Sequence, residues 1–335
     1  MLVPIIPIII GAIAGAVGVG KTVKAIIDSN EAKEKNAEAN SIVEKAKSGL
    51  EKKRKKCGES LEALGQKKVD VLDKSMNKFI RSFEKLHNVE LSESVGLEEL
   101  SKFRIDRQSL VELKELGSYA SSIAGGTAAG LVGGALTAFG AYSATMALAT
   151  ASTGTAIATL SGAAATNATL AFLGGGSLAA GGLGMAGGMV VLGVLVAGPA
   201  LAVMGFIVGS KASAALDEAK SNLAKAGEIR EELKTVGTLC DGIRKRCDMF
   251  TDLLVKLDTL FVPFIHSMEK AIKTHGNDFQ TFTVNEKKAV CAAATIAGTI
   301  KKVVDTPILT KDGKLTVKSG NVVKEISAKV EKQLS

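Results

Sequence analysis

The sequence predicts an all-α protein: an elongated helical bundle or coiled coil that carries a central Gly/Ala-rich hydrophobic hairpin. Two long segments of the 335-residue chain have apolar residues three and four apart, as along one face of a helix. Between them, the stretch from Leu116 to Ser210 contains no charged residue. Aromatic residues make up only 4% of the chain and Trp is absent, which disfavours a large globular core.

A hydrophobic N-terminal segment, residues 1–27, comes first. Its part from Leu2 to Gly20 carries no charge and is just long enough to span a bilayer. No basic region precedes it and no small-residue cleavage site follows, so we expect no secretory signal. Two interpretations stand side by side. The segment is a membrane anchor with Lys21 and Lys24 on the cytoplasmic side, or a helix packed against the central hairpin.

Residues 15–22 of this segment match the G-x-x-x-x-G-K-[ST] pattern of a phosphate-binding loop. Such a loop needs a parallel sheet to hold it and an acidic residue for magnesium. The following sequence predicts charged helices and no alternation of strands with helices. We therefore expect no nucleotide binding.

Residues 28–115 are predicted to form a charged helical or coiled-coil arm, which starts with one long helix or two from Asp28 to His87. Asp28, Ser29 or Asn30 is expected to cap its start. Apolar residues three and four apart then predict a coiled-coil seam at Val69, Leu72, Met76, Phe79, Phe83 and Leu86. After a connector at residues 88–107, Ser109 and Glu112 have the spacing of a capping box and predict another helix.

Residues 116–210 are predicted to be a glycine-zipper membrane hairpin. The stretch is long enough to cross a bilayer two to four times. Small residues every four positions form a flat helix face that lets two helices approach closely in lipid. The rows that we expect to mediate membrane packing and oligomerisation contain Gly126, Gly130, Gly134, Gly176, Gly184, Gly188, Gly205 and Gly209. Because Gly and Ala contribute little to insertion, the hairpin could be hidden in a soluble form and inserted later.

Residues 211–276 carry the strongest periodic pattern of the chain. It predicts a coiled-coil helix of about 55 residues with a possible kink at Pro263. The seam includes Leu233, Cys240, Cys247, Phe250, Leu254 and Phe261. In the C-terminal helical segment, residues 277–335, Thr283 and Glu286 form a capping box that opens a helix to about Val304. A turn at residues 311–314 and a short helix follow.

No residue pattern supports catalysis, a cofactor or a metal site. The sequence offers no nucleophile beside a base and no paired carboxylates in an apolar setting, so we predict that the protein is not an enzyme. His266 and His275 lack metal-ligand spacing. The cysteines Cys57, Cys240, Cys247 and Cys291 form no CxxC pair and are interpreted as reduced core residues of a cytoplasmic protein.

The expected partners are a lipid bilayer and further copies of the same chain. The net charge of +8 suits an anionic surface. The basic residues are interleaved with acids, however, which is typical of solvated helix faces. We expect neither nucleic acid nor nucleotide as a ligand.

The uncharged stretch also carries a resemblance to known families. Its segments Leu173-Gly174-Gly175-Gly176-Ser177-Leu178-Ala179-Ala180-Gly181-Gly182 and Ala197-Gly198-Pro199-Ala200-Leu201-Ala202 look like a recurrent core of bacterial glycine-zipper membrane proteins. That resemblance covers most of the chain and implies no established activity. In architecture, the chain resembles the apolipoprotein L family and the cytolysin A-type α-helical pore formers. Those resemblances imply helical proteins that make membranes leak.

Together these observations predict a membrane-inserting protein that forms a pore or lesion, as an intracellular effector in defence or competition. It would be associated with the bacterial inner membrane from the cytoplasmic side. The alternative is a non-conducting scaffold or tether whose coiled coils recruit partners to the bilayer.

Overall fold

The structure, a computed structural model, describes residues 19–89, 107–124, 136, 139–141, 216–310 and 314–334. Regular structure in these residues is helical, apart from two isolated β-bridges, which confirms the all-α class for this part of the chain. The chain divides into two compact units. The first contains residues 1–48 and 200–234, and the second contains residues 49–199 and 235–335.

The first helix, α1 (Val19–Asp70), is 52 residues long. The predicted cap at Asp28, Ser29 or Asn30 is wrong, because these residues lie inside α1. The reason is local. The preceding residues from Lys21 to Ile27 contain neither proline nor glycine, so nothing there stops the helix. Residues 1–18 lie outside the described part, and with them most of the hydrophobic N-terminal segment and of the phosphate-loop pattern.

In the first unit, the described residues belong to the beginnings of α1 and of α4 (Leu216–His275). Their buried positions recur at intervals of seven: Ala32 and Ala39 on α1, and Ala219, Ala226 and Leu233 on α4. Four of these five are alanines, which allow helices to lie close together. Asn222 Nδ2 donates a hydrogen bond to Asn36 Oδ1 at 3.0 Å and so joins the two helices.

In the second unit, α1 continues through a π-helical segment (Val71–Met76) into α2 (Asn77–Phe83). Three ion pairs join this run to α4: Lys53 to Asp241 at 2.7 Å, Lys67 to Asp258 at 3.2 Å and Lys78 to Glu269 at 3.0 Å. Because the numbers of both partners rise together, the helices run parallel in this unit. The phenyl rings of Phe79 and Phe261 meet between them, with centroids 5.4 Å apart.

Helix α4 is 60 residues long, close to the predicted length, and runs on through Pro263. The six predicted seam residues are all buried. Five predicted seam residues of the first arm are buried as well: Val69, Leu72, Met76, Phe79 and Leu86. That these faces form a coiled coil stays a prediction.

The C-terminal segment agrees closely with its prediction. Helix α5 (Val284–Val304) begins with the predicted capping box, in which the Thr283 and Glu286 side chains each bond the other's backbone amide. Most of α5 is buried, and the hydroxyls of Thr295 and Thr299 donate to carbonyl oxygens four residues earlier. A bridge between Leu309 and Leu315 flanks the predicted turn and leads into α6 (Val317–Leu334).

The remaining helix, α3 (Arg107–Ala124), carries the start of the uncharged stretch. The predicted capping box at Ser109 and Glu112 is wrong, because α3 already includes Arg107 and Ser109 lies inside it. Searched over the described residues, the chain has no helix that is both long and apolar enough to cross a membrane. Most of residues 116–210, where the hairpin is predicted, lies outside that part.

Candidate docking site for the uncharged stretch

The described pieces of the uncharged stretch all pack against the charged helices of the second unit. The first piece is the end of α3, which contacts the π-helical segment and α2. Here Asn77 Nδ2 donates to the carbonyl oxygen of Gly117 at 3.1 Å and to Ser121 Oγ at 2.9 Å. A Cβ atom on Gly117 would overlap the Asn77 amide. Glycine at this position therefore allows α3 to lie directly on Asn77.

The second piece, Leu136 with residues 139–141, touches α1 through two glycines. A Cβ atom on Gly65 of α1 would overlap the carbonyl oxygen of Leu136. In the opposite direction, a Cβ atom on Gly140 would overlap the carbonyl oxygen of Leu61. Since real side chains cannot occupy these places, each glycine is required for the backbone-to-backbone contact. At these two places, the backbone of α1 and the backbone of residues 136–141 therefore touch directly, with no side chain between them.

Lys68 of α1 lies in the centre of this contact and is fully buried. Its ammonium group donates to the carbonyl oxygen of Phe139 at 2.9 Å and to that of Gly140 at 3.3 Å. It also lies 5.7 Å from the centroid of the Phe139 ring, within range of a cation–π interaction. We call Lys68 and these two carbonyl oxygens the clasp.

Keeping the Lys68 ammonium group charged in the buried clasp is unfavourable, because the group has lost its contact with water. Burial lowers the pKa of Lys68 to about 8, while the nearby Cys247 and Asp305 act in the opposite direction. An ammonium group in an apolar interior is unfavourable unless it is well solvated by protein dipoles. The lowered pKa means that the carbonyl oxygens and the neighbouring charges offset only part of that penalty.

Ala141 completes the site on the side of α5. Its carbonyl oxygen accepts hydrogen bonds from the backbone amides of Ile308 at 2.9 Å and Leu309 at 3.1 Å. Three consecutive carbonyl oxygens, from Phe139 to Ala141, are thus bonded by groups of the charged helices and the loop after α5. With these carbonyl oxygens bonded, Phe139 and Ala141 can be buried without leaving them unpaired in an apolar interior.

Sequence reasoning missed this site, although two local signals were present. Lys68 stands four residues after Leu64 and seven after Leu61, on the buried stripe of α1. Gly65 is one of the glycines in the interior of α1, each of which costs roughly 1 kcal/mol relative to alanine and can indicate a close contact. Neither signal identifies the partner, which lies about 70 residues further along the chain.

The predicted site residues fall into two groups. The six seam residues on α4 are buried in the part of the chain that the structure describes. The eight glycines predicted to mediate membrane packing lie outside it. All four cysteines are buried with free thiols, as predicted for core residues.

Within the described ranges, no cluster of three or more His, Cys, Asp or Glu side chains could hold a metal ion. His275 instead contacts Glu286, with 3.3 Å between Nε2 and Oε2. No known family model, curated protein or solved structure matches this chain. Its function must therefore be inferred from its own residues.

Proposed function

We propose that the protein inserts its uncharged stretch into lipid bilayers and oligomerises through the glycine rows to form a pore or lesion. Before insertion, the beginning of that stretch is held on the protein's own charged helices. The observation that carries the proposal is the clasp, which joins a charged arm to the uncharged stretch through an ammonium group and backbone carbonyl oxygens.

The absence of charge from Leu116 to Ser210 supports the membrane as the destination. A stretch of that length and composition needs either a protein surface or hydrocarbon to cover it. Its Gly/Ala content makes insertion only weakly favourable. A weakly inserting segment is suited to exchange between a docked form and a membrane form, because neither state is strongly preferred.

The chemistry of the clasp supports reversible docking. Burying the Lys68 ammonium is unfavourable, as its lowered pKa indicates. When residues 139–141 leave, the ammonium group regains water and that penalty disappears. The buried charge therefore makes an unfavourable contribution to the free energy of docking, which the tight contacts at Gly65 and Gly140 must outweigh. Weakening those contacts should release the stretch.

The proposal is tested by dye release from vesicles of phosphatidylcholine and phosphatidylglycerol, using the purified full chain. Gly65→Ala should release dye faster than the unsubstituted chain, because the added methyl group forces Leu136 away. We expect at least about a fivefold increase, since about 1 kcal/mol changes an equilibrium by that factor. Gly58→Ala is the matched control on the same helix, because its Cβ atom would meet nothing within 4 Å.

The outcomes separate the possible functions. Dye release that is faster for Gly65→Ala and unchanged for Gly58→Ala supports insertion from a docked form. Vesicle binding without any release, for all three proteins, would instead favour the non-conducting scaffold. A chain that neither binds nor permeabilises vesicles would refute both.

A further inference from the structure

A pair of thiols in the second unit lies outside the docking site. Cys57 on α1 and Cys240 on α4 are both buried, with 1% of each residue exposed. Their side chains lie next to each other and are joined by a hydrogen bond. The chain thus brings two sulfur atoms together from two different helices.

The surrounding contacts hold the two helices together at this level. One turn before Cys57, Lys53 forms its 2.7 Å ion pair with Asp241, the residue next to Cys240. The Lys53 side chain also crosses α4 at Gly237, where an added Cβ atom would lie 3.0 Å from Lys53 Cδ. The thiol contact is therefore fixed by neighbouring residues on both helices.

The two thiols have different electrostatic surroundings. The hydrogen bond with Cys57 lowers the pKa of Cys240 to about 7, with help from the positive charges of Arg54 and Lys53 and against the effect of burial. That same hydrogen bond and burial raise the pKa of Cys57 well above its ordinary value. Burial also raises the pKa of Cys247 to about 12. Of these three thiols, Cys240 is the one whose surroundings favour the nucleophilic thiolate.

We propose that Cys57 and Cys240 are a redox-active dithiol, which a small hydroperoxide converts into a disulfide between α1 and α4. The Cys240 thiolate attacks one peroxide oxygen, the O–O bond breaks, and a sulfenic acid forms while hydroxide leaves and is protonated to water. Cys57 then loses its proton and attacks the Cys240 sulfur. The S–S bond forms, the S–O bond breaks and a second water leaves. In sum, two thiols are oxidised and one hydrogen peroxide is reduced.

The disulfide would link the two parallel helices where Lys53 and Asp241 already join them. Its formation requires the sulfur atoms to move from hydrogen-bond contact to a bond of about 2.05 Å. Because both residues are buried, hydrogen peroxide should reach them more readily than bulky thiol reagents. This inference does not depend on membrane insertion.

The test exposes the folded full chain to hydrogen peroxide, removes the peroxide with catalase, and alkylates the remaining thiols in denaturant. Of the four cysteines, two should become unavailable for alkylation until a reductant is added. Peptide mass mapping should identify a Cys57–Cys240 cross-link. The mapping uses the unsubstituted protein, so it does not depend on a variant that folds.

Variants then test the pairing. Cys57→Ala and Cys240→Ala should each abolish the cross-link, whereas Cys291→Ala should leave it intact. Cys247→Ala is the sharper control, because Cys247 lies on the same helix as Cys240 and near Cys57. Retention of all four thiols, overoxidation of Cys240 without a disulfide, or a cross-link that joins other cysteines would overturn the proposal.

Discussion

Lys68 gives a quantitative prediction about how the stability of the protein changes with pH. Its pKa falls from the ordinary value of 10.5 to about 8 in the folded chain. Since one pKa unit corresponds to about 1.4 kcal/mol, charging this buried amine costs roughly 3 kcal/mol of folding free energy. Substituting methionine keeps an unbranched side chain of similar length and removes the titrating group.

Whether the stability rises or falls with pH follows from the number of protons that the folded and unfolded chains bind. Between about pH 8 and pH 10.5 the unfolded chain keeps the Lys68 proton while the folded chain has released it. Stability rises with pH wherever the unfolded state binds more protons, so the Lys68 contribution increases over that interval and is constant below it. Relative to Lys68→Met, the unsubstituted protein should therefore gain about 2 to 3 kcal/mol between pH 7 and pH 10.

Urea unfolding followed by circular dichroism at several pH values provides the assay. Lys74→Met, which removes a lysine whose side chain is 71% exposed, is the control and should track the unsubstituted protein. Contributions of other titrating groups that are the same in both proteins cancel in the comparison with Lys68→Met. Curves for the unsubstituted protein and Lys68→Met that stay parallel from pH 7 to pH 10 would refute the account of the clasp.

Three further predictions concern the cap of α5, the glycine rows and the topology. Thr283→Ala removes the hydroxyl that bonds the Glu286 backbone amide and carboxylate, while the backbone amide of residue 283 can still donate to Glu286. It should reduce the free energy of unfolding by about 1 kcal/mol in urea titrations. The hydrogen bonds from Thr283 lower the pKa of the Glu286 carboxyl. The difference in stability should therefore shrink at pH values below the ordinary pKa of that carboxyl, and a difference that stays the same in acid would contradict this. Gly130→Leu or Gly184→Leu should leave vesicle binding intact but reduce leakage, because bulky residues block close helix approach in lipid; unchanged leakage would exclude these rows as the assembly surface. Impermeant reagents should label cysteines placed at Glu115 and Lys211 from the same side of a vesicle, and labelling from opposite sides would exclude an even number of crossings.

Much of the helical framework could be predicted because it follows from local spacing. The alternation of apolar residues along α4 predicts both its length and its buried face, and the Thr283–Glu286 pair predicts the start of α5. The errors are local as well. Asp28 and Ser109 can cap a helix, but each lies inside one. Before Asp28, residues 21–27 contain no proline or glycine that would end the helix.

The docking site could not be predicted from local spacing. Nothing in the local sequence distinguishes Gly65 and Lys68 from other residues of a charged helix. Their roles are visible only in the structure, where the segment that contains Phe139 and Gly140 packs against them. Their roles depend on a contact between distant parts of the chain, and helix periodicity carries no information about which partner is chosen. The parallel alignment of α1 and α4 likewise follows from ion pairs that periodicity alone does not specify.

Vesicle flotation tests the central claim most directly. The full chain and a variant without residues 116–210 are mixed with the same anionic vesicles and centrifuged through a density gradient without detergent. Transfer of the uncharged stretch into lipid predicts that the full chain floats with the vesicles and that the shortened chain stays at the bottom as a helical protein. A shortened chain that still floats would assign membrane binding to the remaining residues, and a full chain that stays at the bottom would contradict insertion altogether.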